Sequence, residues 1–194
     1  MTRPVAVAIT GGIGAGKSEA LAAFARRGAA TVSSDEIVHE LLRRDEVRER
    51  VVERLGNGVV GSDGSLDRGA VATVVFNDPA ALAWLEALLH PLVAAEYLLW
   101  REQLGRLPNP PRVCVTEVPL LYETDAAGRF DKVVVITAPA GVRRARSEVA
   151  LDGREQRLLP DDEKAARADY VYVNTGSLAE LEEFVGSVVK DLTR

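Results

Sequence analysis

Gly11-Gly12-Ile13-Gly14-Ala15-Gly16-Lys17-Ser18 fits the pattern G-x-x-x-x-G-K-[ST] at every fixed position. Residues 4–10 ahead of it form a short apolar run that reads as a strand buried on both faces, and the Ala/Leu-rich residues 19–27 behind it read as a helix. Strand, glycine turn and helix is the order that a phosphate-binding loop requires. Glycines let the backbone fold around an anion, so that successive N–H groups and the positive end of the helix face the phosphates. In this pattern Lys17 reaches the β- and γ-phosphates and the Ser18 hydroxyl ligates Mg²⁺. The stretch implies a nucleoside triphosphate site. The alternative, a glycine turn serving only strand-to-helix packing, gives Lys17 and Ser18 no task.

The 194 residues suffice for one core and a small satellite domain. With 47% hydrophobic and 27% charged residues the composition is that of a soluble globular protein. The one cysteine, Cys114, lies within an apolar strand pattern, which excludes an internal disulfide and a cysteine zinc cluster and fits a reducing, cytoplasmic compartment. No apolar run is expected to reach the roughly 18 residues of a membrane span, and no signal-peptide pattern is read at the N-terminus. The net charge of −5 argues against bulk nucleic-acid binding.

Downstream, residues 29–32 read as a second strand. Ser33 with Glu36 has capping-box spacing, starting a helix through Ile37, Val38, Leu41 and Leu42. Asp35 therefore falls in a first helical turn at the carboxyl end of a strand, the edge at which ligands bind in parallel sheets. Position alone leaves two roles open for it, ligand contact or complement to the helix dipole.

Residues 36–106 lack a core strand and read as a helical insertion. Helices are expected over 46–55 and 67–76, with a short hairpin at Val59-Val60 between them. A long helix starts at Asp78-Pro79 and breaks or kinks near His90, because Pro91 cannot donate to the helix ladder. The proline cluster 108–111 closes the insertion. Residues 112–117 read as a buried strand ending in Glu117, placed to order a Mg²⁺ shell, and 131–137 as another. A segment dense in arginine follows, with Arg143, Arg144, Arg146, Arg154, Arg157 and Arg167. Such a run is either a solvated face or a flap that neutralises phosphate charge. A last strand at 170–173 and a helix capped by Ser177 and ending near Lys190 complete an α/β three-layer fold with a mainly parallel five-stranded sheet.

Several stretches resemble the dephospho-CoA kinase family: Ser34-Asp35-Glu36-Ile37-Val38-His39-Glu40-Leu41, Asp63-Gly64-Ser65-Leu66-Asp67-Arg68, Leu88-Leu89-His90-Pro91-Leu92, Val118-Pro119-Leu120-Leu121-Tyr122-Glu123, and Ala168-Asp169-Tyr170-Val171 with Asn174-Thr175-Gly176-Ser177-Leu178. The resemblance runs from Val7 to about Glu183. It implies a three-layer phosphate-loop fold whose core comprises residues 1–35 and 112–194, with a lid at about 140–167, and whose insertion, 36–111, binds the substrate. It implies ATP and dephosphocoenzyme A as small-molecule partners, Mg²⁺ as cofactor, no nucleic acid or membrane, and a monomer. Asp35, Lys17 and Arg146 become the catalytic residues. Gly12, Ile13, Gly14, Ala15, Gly16, Lys17, Ser18, Glu19 and Asn174 become the nucleotide site, and Thr10, Asp35, Arg68, His90, Leu120 and Tyr122 the substrate contacts. Ser18 and, through water, Glu117 would hold the metal. Two departures stand out. The first aspartate of the family's second-strand motif is Ser33 here, and the lid is several residues short, with Leu158 in place of a glutamine. Arg146 is therefore the first choice among lid arginines, with Arg143 and Arg144 beside it. Two other readings are a kinase of another small alcohol, which the insertion motifs disfavour, and a nucleotide switch, for which no Asn-Lys-x-Asp stretch is present.

Overall fold

Strands buried on both faces alternate their side chains between two helical layers, and the apolar runs are distributed accordingly. In the computed structural model, which describes residues 3–146 and 158–194, five parallel strands form one sheet in the order β2-β3-β1-β4-β5. They are β1 Val5–Thr10, β2 Ala30–Ser33, β3 Val113–Glu117, β4 Lys132–Thr137 and β5 Tyr170–Val173. Val7 and Ile9 of β1, Val113 and Val115 of β3, and Val134 and Ile136 of β4 share one buried cluster. Ala20, Ala23 and Phe24 of α1 (Lys17–Arg26) and Leu181, Val185 and Val188 of α8 (Leu178–Leu192) join it. Intervening residues Ala8, Val133 and Val135 point the other way, onto Leu121 and Ala126. The expected α/β fold with its mainly parallel five-stranded sheet is thus the observed one.

The register aligns the strand ends that matter. Ile9 of β1 and Ser33 of β2 both sit opposite Glu117 of β3. The chain leaves β1 toward β2 on one side and later reaches β4 on the other, so the order reverses between β1 and β3. In open α/β sheets that reversal opens a crevice at the carboxyl ends of the strands.

Two compact units are present: Met1–Ser33 with Trp100–Arg194, and Ser34–Leu99. These limits differ from the expected 35/36 and 111/112. The last turns of α5 (Pro79–Gly105) belong with the first unit, where Arg101 Nη1 donates to Arg129 O at 2.8 Å. The second unit holds α2 (Ser34–Arg43), α3 (Asp45–Leu55), α4 (Arg68–Asn77) and most of α5. Asp67 caps α4 through its carboxylate, which accepts from the N–H groups of Gly69 and Ala70, and Asp78 does the same at α5 for Ala80 and Ala81.

Three expectations need correction. Of the break or kink expected near His90, the break is absent: α5 runs through Pro91. The proline withdraws one donor, and the carbonyl it leaves, on Ala87, belongs to an exposed residue that water can serve. The hairpin expected at Val59-Val60 is reduced to one bridge: Asn57–Val59 make a 3₁₀ turn, and Val60 alone pairs antiparallel with Leu66. Finally, one stretch does reach spanning length, since α5 is by length and composition apolar enough to cross a membrane. Its charges are instead tied to protein, Glu96 to Arg44 at 2.7 Å and Arg101 to the Arg129 carbonyl.

Phe24 is fully buried where α1 meets the sheet. Phe24→Ala is expected to destabilise the protein by about 3–5 kcal/mol, read as a drop in the denaturant midpoint at unchanged slope.

Candidate active site

The phosphate loop takes its shape from contact with the end of β4. Gly11, Gly14 and Gly16 have φ of 141°, 72° and 97°, the left-handed region that favours glycine. A Cβ on Gly11 would stand 1.8 Å from the Ile136 carbonyl oxygen, so only glycine lets the chain pass there. Lys17 Nζ donates to Gly12 O at 3.0 Å, which lays the ammonium back across the loop it serves. Ser18 Oγ donates to Glu117 Oε2 at 3.2 Å, linking the first turn of α1 to the end of β3 across the crevice. Glu117 is buried, and Thr10 is fully buried with its hydroxyl donating to Pro119 O at 3.2 Å. Both oxygen donors of the Ser18–Glu117 pair suit a hard cation.

Asn174 is buried beyond the end of β5. Its Nδ2 donates to Ala15 O at 2.9 Å, and its Oδ1 accepts from the Gly176 N–H at 3.1 Å. The side chain is committed to bracing the phosphate loop.

The loop after β3 is held from another direction. Glu123 forms an ion pair with Lys164 Nζ and accepts from the Leu159 N–H, each at 2.8 Å. Lys164 lies in α7 (Asp161–Ala166) and is completely buried. Burial pushes the Glu123 carboxyl up, but these two donors outweigh it and hold the group below the usual range. Next to it, Tyr122 lies under the Arg167 guanidinium, 5.0 Å from the ring centroid, and burial raises its phenol pKa.

Of the residues singled out in the sequence, Thr10, the loop from Gly12 to Ser18, Glu19, Glu117, Leu120, Tyr122 and Asn174 lie in the first unit. Asp35, Arg68 and His90 lie in the second. Asp35 is exposed in the first turn of α2, two residues past the end of β2. Arg68 Nη1 lies 3.3 Å from His39 Nδ1, and His90 is exposed on α5. Arg146 closes α6 (Ala140–Arg146), but its side chain lies outside the described residues, as do Arg154 and Arg157. Sequence reading passed over His39, Lys164 and Asp161 as site-builders, and ranked Arg143 behind Arg146. His39 had a usable signal, standing four residues from Asp35 on the same helical face. Lys164 had none: it sits in a run of charges that reads as a solvated surface.

The dephospho-CoA kinase family model matches residues 5–180. A dephospho-CoA kinase from Frankia casuarinae is 36% identical over 193 residues, covering 96% of this chain and 82% of the relative. Among solved structures, one from Thermus thermophilus superposes with a TM-score of 0.80 at 36% identity, covering both chains fully. A dephospho-CoA kinase from Campylobacter jejuni gives 0.72 at 24% identity, covering 97% of this chain and 96% of its own, and so supports the fold.

Removing one partner of a buried pair leaves an uncompensated charge, so Lys164→Ala is expected to cost about 3–5 kcal/mol of stability. Because the folded Glu123 carboxyl titrates below its unfolded value, its contribution is complete above about pH 4.3 and is lost as pH falls through the folded pKa. Glu123→Gln should therefore flatten the acid limb of a melting-temperature profile between pH 6 and 3, a comparison that differential scanning calorimetry reads directly.

Proposed function

The chain belongs to the dephospho-CoA kinase family, and from that premise we propose how its residues carry out the family's reaction. The reaction is ATP-dependent phosphorylation of the 3′-hydroxyl of dephosphocoenzyme A, giving coenzyme A and ADP, the last step of coenzyme A biosynthesis. The observation that carries the reading is the family match over residues 5–180 together with the Lys17, Ser18 and Glu117 arrangement at the strand-order reversal.

The loop from Gly12 to Lys17 binds the triphosphate through backbone N–H groups and the N-terminus of α1. Lys17 exchanges the Gly12 carbonyl for phosphate oxygens, an exchange that replaces a neutral acceptor with a charged one. Ser18 and Glu117 would hold Mg²⁺, directly and through water, as their oxygen donors permit. When bound, the ion supplies charge neutralisation at the β- and γ-phosphates. Asn174 serves the nucleotide by fixing the loop, and the backbone beside it receives the adenine. Glu19, Ile13 and Ala15 complete the nucleotide contacts.

Asp35 orients the 3′-hydroxyl and accepts its proton. Phosphoryl transfer passes through a loose transition state, so positioning counts for more than early proton removal. Support comes from its place two residues beyond Ser33, the residue in register with Glu117. The helical insertion, residues 36–111, binds dephosphocoenzyme A through Arg68 and His90, and Thr10, Leu120 and Tyr122 contact the same substrate from the core. Arg146 acts from the lid on the transferring phosphate. The enzyme works as a cytoplasmic monomer on small molecules, apart from nucleic acid and membranes. The thiol of Cys114 is buried, and desolvation pushes its pKa up to about 11, which leaves it unreactive.

A coupled ADP-release assay with Mg²⁺-ATP should show turnover with dephosphocoenzyme A and none with adenosine, AMP or no acceptor. Asp35→Asn should lower kcat by about 10²–10⁴-fold while ATP binding is largely kept. Equal turnover without acceptor would overturn the reading.

A further inference from the structure

We propose that Arg143 is a phosphate-binding residue of this enzyme and that Asp161 is a placeholder anion, which occupies Arg143 at the phosphate loop and yields it to the nucleotide. The proposal rests on the phosphate-loop reading above.

Arg143 lies against the loop from its first glycines onward. A Cβ on Gly12 would stand 2.8 Å from Arg143 Nη1, and one on Gly14 would stand 2.9 Å from the Arg143 carbonyl oxygen. The same hypothetical Cβ of Gly12 would lie 3.0 and 3.1 Å from the two carboxylate oxygens of Asp161. A guanidinium and a carboxylate thus share the space directly beside a backbone whose N–H groups are arranged for an anion. Arg143 Nη1 and Asp161 Oδ2 are 4.0 Å apart, with both side chains about one-fifth exposed. That distance is a loose pairing, well short of a bidentate fork. Asp161 Oδ2 is held in place independently, accepting from Thr137 Oγ1 at 2.8 Å at the end of β4.

The electrostatics of this trio are uneven. A carboxylate fixed beside an anion site repels a triphosphate, and its effect is tolerable only while a cation stands with it. Arg143 is that cation, and phosphate oxygens offer its planar fork a better partner than a carboxylate at 4.0 Å. When nucleotide enters, the guanidinium moves its hydrogen bonds to phosphate, and Asp161 keeps its bond to Thr137. No bond is made or broken other than these contacts. Asp161 acts through Arg143 as a positioning residue, and its net effect on the empty site is competition for the guanidinium.

The test is ATP affinity measured by calorimetry, with melting temperature as a check on folding, in four proteins: wild type, Arg143→Ala, Asp161→Asn and the double variant. Arg143→Ala should weaken ATP by about tenfold or more. Asp161→Asn keeps the Thr137 contact while removing charge, and should tighten ATP about three- to tenfold at unchanged melting temperature. In the double variant the gain should vanish, since there is no guanidinium left to release. If Arg143→Ala unfolds, Arg143→Met keeps the stem packed on the loop and serves in its place. Unchanged ATP affinity in the arginine variant, or an Asp161→Asn that binds ATP no better than wild type, would sink the proposal. Wild type that binds ATP yet fails to phosphorylate dephosphocoenzyme A would count against the functional reading and leave this one standing.

Discussion

The tightest approach among the described glycines is that of Gly11 to the Ile136 carbonyl, where no side chain of any size fits. It brings the phosphate loop down onto the end of β4, and everything placed by that loop follows from it. The first turn of α1 is aimed at the crevice between β1 and β3, and Ser18 comes within hydrogen-bond reach of Glu117. The cost is entropic: three glycines that roam widely in the unfolded chain are each held at one positive φ.

Polar groups buried around the loop do a second job. Thr10, Glu117, Asn174 and Lys164 are buried, and each has a partner on a different element. Such bonds add little net stability compared with apolar packing, but leaving any one unmade would be costly. They therefore act as checks on register. A loop displaced by one residue would strand the Asn174 amide, and a displaced α7 would strand Lys164. Specificity of geometry, more than strength, is what this polar layer contributes.

Much of the fold was legible because it is written in local patterns. Phosphate-loop spacing, the caps at Asp67, Asp78 and Ser177, and the apolar runs 113–117 and 132–137 each report on their own neighbourhood. The place of Glu117 at the end of a buried strand was legible for the same reason. What could not be read was whatever depends on pairing across the chain. Lys164 looks like a surface residue until Glu123 is placed opposite it. Arg143 is indistinguishable from Arg144 and Arg146 in a basic run, and only the packing of α6 on Gly12 and Gly14 separates it. Pro91 misled because a helix break depends on whether the freed carbonyl can be served, and that is a property of exposure, which the sequence does not display. Asp35, Arg68 and His90 enter as candidates only through resemblance to family motifs, since spacing alone leaves their roles open.

The clasp between Asn174 and Ala15 has a consequence for how the protein comes into being. A ribosome delivers the phosphate loop among the first residues, yet the side chain that braces it belongs to a segment made near the end, and the strand it rests on, β4, is made late as well. The nascent chain therefore carries the loop sequence long before the loop can hold its shape. The brace arrives only with the last strand of the sheet, and a chain truncated before Asn174 lacks it. The shape of a loop made first is thus set by residues made last.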